Sequence, residues 1–149
     1  MGRVRVRRYV VALTVAYLAA VAVIVTSPWG WELNRLTVRL WAFFLDDLPT
    51  APSWMTPEHY GVLLNVLLFV PIGVLLSLAT RRPWWAVVVV ALVGSSVIEL
   101  VQWRWLARQG SWDDVVANTV GALIGAVAVT LLARAGSSRA GRPGPPRRH

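Results

Sequence analysis

Four long apolar blocks, separated by short polar segments, dominate the pattern of hydrophobic and polar positions along the chain. They run over about residues 9–28, 60–80, 84–103 and 115–133. Each block has close to the roughly 20 apolar residues that an α-helix needs to cross a ~30 Å hydrocarbon core. The pattern therefore predicts an all-α integral membrane bundle of four transmembrane helices.

The first block is open to a second interpretation, because the arginines of residues 1–8 precede it as the basic region of a signal peptide would. Its length is sufficient to span a bilayer, and no Ala-x-Ala cleavage site closes it. We therefore expect an uncleaved first helix, with a cleaved signal peptide as the alternative.

The segment between the first two blocks has the pattern of an amphipathic helix. Arg35 and Arg39 share one face, and the apolar residues at helical spacing lie on another: Leu33, Leu36, Leu40, Trp41 and Phe44. We expect a short interfacial helix in this first outer loop, with a plain loop packed on the bundle as the alternative.

The arginines indicate the topology. All fifteen basic residues are arginine, and eleven of them lie before the first block, between the second and third, or after the fourth. The positive-inside rule then places residues 1–8, the connection at residues 81–82 and residues 134–149 in the cytoplasm. We expect a multi-pass cell-membrane protein with both termini cytoplasmic and a disordered basic tail over residues 134–149.

The remaining composition excludes some chemistry. The chain has no cysteine, so disulfides and thiol catalysis are excluded. The net charge of +8 does not indicate a nucleic-acid partner, because the arginines lie at the ends of apolar blocks. The partner that the pattern does predict is the lipid bilayer.

Polar residues inside the apolar blocks are costly in a bilayer and therefore mark the candidate site. Ser95, Glu99 and Gln102 share one helix face, and Asp114 and Asn118 share another. The candidate ligand-binding residues are Asn65, Glu99, Gln102, Arg108, Asp113, Asp114 and Asn118.

The depths of these residues agree. At 1.5 Å per residue, Glu99 lies about 24 Å from an inner boundary near Pro83, towards the outer edge of the core. Asn65 and Asn118 lie about 8 Å and about 6 Å below the outer ends of their own helices. The agreement predicts a single polar pocket that opens towards the outer leaflet, with Arg104 and Arg108 near its rim.

Most of these residues also have a structural interpretation. The segment from Ser111 to Asp114 has the pattern of a capping box at a helix N-terminus. Asn65 and Asn118 suit interhelical hydrogen bonds, and the Gly121/Gly125 pair suits close helix packing, including that of a homo-oligomer. Glu99 is the hardest to explain structurally, because a membrane carboxylate needs an arginine, an amide network, a proton or a cation as its partner.

Three segments carry a resemblance to the VanZ-like family of bacterial membrane proteins. They are residues 65–73 (NVLLFVPIG), 98–102 (IELVQ) and 113–125 (DDVVANTVGALIG). Family members often have an arginine followed three residues later by an acid before the Asp-Asp pair; here Arg108 fits, but Ser111 replaces the acid. The resemblance implies a cell-envelope protein related to resistance against teicoplanin, a lipoglycopeptide antibiotic, without remodelling of the peptidoglycan precursor.

Three hypotheses about function remain open at this point. The first is a protein that binds an amphipathic envelope molecule, a lipid-linked precursor or a lipoglycopeptide, at the outer polar pocket. The second is a membrane enzyme acting on a lipid-linked substrate, in which oxygen ligands hold Mg²⁺ or Ca²⁺ and His59 is the one histidine placed to act as a base. The third is a small oligomeric transporter or proton relay built on Glu99. Catalytic residues and metal ligands stay unassigned, and no resident cofactor is predicted beyond such a divalent cation.

Overall fold

The described residues form five helices. The computed structural model describes residues 2–26, 30–44, 52, 54–105 and 111–140, with no strand in these ranges. The helices are α1 (Gly2–Thr26), α2 (Gly30–Ala42), α3 (Pro57–Thr80), α4 (Trp84–Trp105) and α5 (Trp112–Ala140). Of these, α1, α3, α4 and α5 are long and apolar enough to cross a membrane. The predicted all-α bundle with four membrane-spanning helices is confirmed.

The helices extend beyond some of the apolar blocks. The first helix begins at Gly2 rather than near residue 9, and α5 continues to Ala140 past the predicted end near residue 133. Apolar composition marks the part of a helix that lies in hydrocarbon, whereas backbone hydrogen bonding can continue into the polar flanks. Residues 134–140 are therefore helical where the sequence predicted disorder, and residues 141–149 lie outside the described residues.

The short helix α2 occupies the segment with the amphipathic pattern and packs against the beginning of α3. The indole Nε1 of Trp41 donates a hydrogen bond to the Met55 carbonyl at 2.8 Å. The ring of Phe44 stacks on that of Tyr60 with a centroid separation of 5.9 Å. These contacts attach α2 to the N-terminal end of α3.

The most completely buried residues of the bundle are small, although Phe69 and Ile72 are also buried, and many large apolar side chains are exposed. Ser95, Ala122 and Ala126 are completely buried, while long side chains such as Leu132 (73% exposed) point away from the protein. This distribution is the one expected for lipid, in which apolar side chains gain nothing from being buried and helices associate by close packing.

The closest approach is between α3 and α5, and it depends on glycine. A methyl group on Gly73 would overlap the Ala122 carbonyl, and methyl groups on Gly121 and Gly125 would overlap the Val66 and Val70 carbonyls. The Gly121/Gly125 face that the sequence offered for self-association is thus occupied by α3 of the same chain. A homo-oligomer, if one forms, would need another surface.

Contacts between the helices establish their directions. The Tyr17 hydroxyl donates to the Leu68 carbonyl at 2.9 Å and the Thr14 hydroxyl donates to the Leu75 carbonyl at 3.5 Å, so α1 and α3 run antiparallel. In the same way α4 runs antiparallel to α5, whereas α3 and α5 run parallel. The N-termini of α3 and α5 and the C-terminal part of α4 therefore meet at one end of the bundle, here called the site end. The opposite end is called the arginine end.

Candidate functional site

The first polar contact at the site end joins α3 to α5. The Asn65 side-chain amide donates a hydrogen bond to Oδ1 of Asp114 at 2.6 Å, and both side chains are partly buried. A carboxylate acceptor makes this bond stronger than a bond between neutral groups. The contact brings together two of the residues predicted for the site.

The second contact joins α4 to the beginning of α5. The Ser111 backbone N–H donates to Oε2 of Glu99 at 2.9 Å, and the Asp113 N–H donates to the Ser111 hydroxyl at 3.1 Å. Ser111 is therefore the N-cap of α5, as the sequence predicted. In a capping box the acid at the third helical position would accept the N-cap N–H, but here Glu99 of the neighbouring helix accepts it.

This arrangement gives Glu99 a structural partner. Its carboxylate lies at the N-terminus of α5, where unpaired N–H groups and the helix dipole favour a negative charge. Asp114, at the third position of α5, is directed to Asn65 instead. The predicted capping box is thus divided between two helices.

The third contact lies deeper, between α4 and α5. The Asn118 amide nitrogen donates to the Ser95 hydroxyl at 2.8 Å, and both residues are buried. The Asn118 Oδ1 atom is also buried, and among the described residues it has no hydrogen-bond partner. A buried acceptor of this kind is costly unless water or a ligand supplies a donor.

A groove opens beside Glu99. It has a volume of about 460 Å³ and lies between the C-terminal half of α4 and the first turn of α5. Its walls combine apolar and aromatic side chains with two polar residues from α4 and the N-cap residue of α5: Leu100, Trp103, Trp112 and Val115 with Ser96, Glu99 and Ser111. A groove with this lining suits a ligand that is mostly apolar and carries a few polar groups.

The other predicted residues are placed less centrally. Gln102 is buried on α4, and Asp113 is exposed in the first turn of α5. Arg108 lies outside the described residues, and Arg104 is exposed at the end of α4. The structure thus groups Asn65 with Asp114 and Glu99 with Ser111, and it places Asn118 at a deeper level.

Two results bear on the enzyme hypothesis. Within the described part of the chain, no group of three or more His, Cys, Asp or Glu side chains is placed to hold a metal ion. His59 is not in a loop but in the first turn of α3, where its Nδ1 accepts a hydrogen bond from the Thr56 N–H at 3.1 Å. This role at the helix start accounts for His59 without catalysis, and the divalent cation stays a prediction.

The sequence analysis missed most of the groove. Of the residues that line it, only Glu99 was predicted as a site residue, and the others were not: Ser96, Leu100, Trp103, Ser111, Trp112 and Val115. Their types are ordinary for a helix in lipid, so nothing in the local pattern distinguishes them. Only the positions of Trp103 and Trp112 at the ends of apolar blocks, close to Glu99 and Asp114 in sequence, offered a signal.

The fold and the site define a multi-pass helical membrane protein whose intramembrane polar residues converge at one end of the bundle. The family model for VanZ/LLP1 matches residues 12–133. The chain belongs to this family, and the match extends beyond residues 65–125, on which the resemblance was based. No curated protein and no solved structure matches the chain.

Proposed function

We propose that the groove beside Glu99 binds an amphipathic molecule of the bacterial cell envelope, of the lipid-linked or lipoglycopeptide type. The observation that carries this proposal is the lining of the groove. Aromatic and aliphatic side chains suit an acyl or isoprenoid chain, and the Glu99 carboxylate suits an amine or hydroxyl donor at its head.

The charge distribution supports an outward orientation of the groove. All seven acidic residues fall between residues 32 and 58 or between residues 99 and 114, and eleven of the fifteen arginines lie in residues 1–8, 81–82 and 134–149. The positive-inside rule then directs the arginine end to the cytoplasm and the groove to the outer leaflet. A ligand would reach the groove from the outer surface or from the outer half of the bilayer.

Membership of the VanZ/LLP1 family suggests a more specific ligand class. Teicoplanin, to which the family name is linked, has a fatty acyl chain that vancomycin lacks, together with cationic and hydroxyl groups. A groove with apolar walls and one carboxylate would discriminate between the two antibiotics through the acyl chain. We therefore infer a contribution to tolerance of teicoplanin-type antibiotics.

The test is expression in a glycopeptide-sensitive Gram-positive host, with inhibitory concentrations of teicoplanin and vancomycin as the readout. We expect the wild-type chain to raise the teicoplanin value alone. Ser96→Trp, which fills the groove without removing any of the three polar contacts, should abolish that rise. Ser137→Trp, on the exposed C-terminal part of α5, is the matched control and should behave as wild type.

Equal membrane expression of all variants must be verified by immunoblotting. A wild-type chain that changes neither inhibitory concentration would remove the link to teicoplanin. A Ser96→Trp variant that protects as well as wild type would show that the groove is not the binding site.

A further inference from the structure

A second cavity lies at the arginine end, remote from the groove. It has a volume of about 1000 Å³ and is bounded by α1, α3, α5 and the connection between α3 and α4. Three arginines line it: Arg7 from α1 and the consecutive Arg81 and Arg82. The cavity takes no part in the contacts of the site end.

Within the described ranges, none of the three arginine side chains forms a hydrogen bond or an ion pair. The two hydroxyls of the cavity wall are already occupied, since Ser77 donates to the Gly73 carbonyl at 2.7 Å and Thr130 to the Ala126 carbonyl at 2.9 Å. The arginines are therefore the hydrogen-bond donors with which this cavity would bind a polar group.

The local backbone holds two of these arginines in place. Arg81 ends α3 in the left-handed conformation (φ 55°), and its N–H donates to the Ser77 carbonyl at 2.9 Å. The Arg82 N–H lies 3.3 Å from the Thr80 hydroxyl oxygen. Positive side chains are favoured at the C-terminus of a helix, where the last carbonyls carry partial negative charge.

The rest of the wall is apolar and is exposed on the surface of the bundle. Val6 and Leu78 are 62% and 46% exposed, and Val10 and Val129 complete the wall beneath the arginines. One kind of partner would match both the cluster of cations and the apolar wall beneath it. The phosphate of an anionic phospholipid would meet the guanidinium groups, and its acyl chains would cover the valines and leucine.

We propose that this cavity is a binding site for an anionic phospholipid of the leaflet at the arginine end. The apolar wall favours a lipid over free phosphate, because phosphate alone would leave Val6, Leu78 and Val129 uncovered. Arginine rather than lysine suits the site, since its planar fork binds phosphate oxygens through two parallel hydrogen bonds. The proposal does not depend on what the groove at the site end binds.

The experiment is a lipid titration of the purified full-length chain in detergent, followed by native mass spectrometry. The probes are phosphatidylglycerol and phosphatidylcholine with identical acyl chains. We expect wild type to bind phosphatidylglycerol in preference to phosphatidylcholine. Arg7→Gln/Arg82→Gln should weaken phosphatidylglycerol binding roughly thirtyfold, because each arginine near a membrane surface is worth about a factor of five.

The matched control is Arg5→Gln/Arg8→Gln. It removes the same charge from the same end, but neither residue lines the cavity, and it should retain most of the wild-type affinity. Equal losses in the two double variants would overturn the proposal in favour of a diffuse surface charge. Equal binding of the two lipids by wild type, or displacement of phosphatidylglycerol by millimolar inorganic phosphate, would overturn it as well.

Discussion

At the residue scale, the membrane turns a local helix cap into a contact between helices. In water the N-cap N–H of α5 could bond to solvent, but near hydrocarbon it needs a protein acceptor. Glu99 supplies this acceptor from α4, which leaves Asp114 available to Asn65 on α3. The first turn of α5 thereby joins three helices.

Replacing Glu99 should reveal this structural role. We expect Glu99→Ala to lower the free energy of unfolding by about 1–3 kcal/mol, because the Ser111 N–H loses its acceptor. Glu99→Gln keeps an oxygen acceptor and should lose only about 0.3–1 kcal/mol, the value of a charge at a helix N-terminus. Unfolding in mixed detergent with rising dodecyl sulfate measures both. Glu58→Gln, which removes an exposed charge from the first turn of α3, gives the size of the helix-terminus charge effect alone. Equal losses for the alanine and glutamine variants would contradict the role as acceptor.

A double-mutant cycle tests the contact between α3 and α5. Asn65→Ala, Asp114→Ala and the double variant should give a coupling energy of about 1 kcal/mol, within the range found for hydrogen bonds between membrane helices. The same unfolding assay provides the three free-energy changes. Additive effects of the two substitutions would show that the 2.6 Å contact contributes nothing.

The residue types of the site could be predicted from the sequence, but their pairing could not. The free-energy cost of polar side chains in a membrane indicated Asn65, Glu99, Asp114 and Asn118 as site residues. The rise per residue of a helix placed most of them at one level. Which acid accepts the Ser111 N–H depends on how α4 is rotated against α5. Rotation is determined by packing across the whole interface, which no local spacing encodes.

At the element scale, the parallel pair α3 and α5 forms the centre of the bundle. Glycines at positions 73, 121 and 125 let the two backbones approach until carbonyl oxygens lie where a Cβ atom would be. The sequence pattern predicted a close-packing face on α5 but did not indicate α3 as the partner. The position of Gly73 opposite Ala122 shows that α3 contributes its own small residue to the contact.

Alanine at these glycines should destabilise the bundle more, the more its methyl group overlaps the backbone of the neighbouring helix. We expect Gly121→Ala to destabilise the bundle by at least about 2 kcal/mol, because the new methyl group must push away the Val66 carbonyl. Gly94→Ala is the matched control, since nothing lies within 4 Å of its added Cβ. It should be neutral or stabilise α4 by up to about 1 kcal/mol through its higher helix propensity. Similar effects of both variants on the unfolding curve would contradict the close approach of α3 and α5.

At the scale of the whole molecule, aromatic residues mark both ends of the bundle. Trp84 and Trp85 begin α4 and Trp103 lies near its end, separated by about 28 Å along the helix axis. Trp54 and Trp112 are exposed at the site end together with Trp103. Two aromatic girdles at this spacing match the thickness of a hydrocarbon core. The fold class was therefore predictable from hydropathy alone, whereas the two cavities depend on three-dimensional packing.

The proposed function requires that the groove beside Glu99 faces the outside and holds an amphipathic ligand. We would label single cysteines in whole cells with a membrane-impermeant maleimide and then purify the protein. The chain itself contributes no background labelling because it has no cysteine. Ser96→Cys lies in the groove, Trp54→Cys lies at the site end outside it, and Thr80→Cys lies at the arginine end.

We expect Ser96→Cys and Trp54→Cys to be labelled on intact cells and Thr80→Cys to be labelled only after permeabilisation. Teicoplanin should slow the labelling of Ser96→Cys and leave that of Trp54→Cys unchanged. Labelling of Ser96→Cys only after permeabilisation would contradict the outward orientation. Labelling from outside at a rate that teicoplanin does not change would contradict the binding of a lipoglycopeptide in the groove.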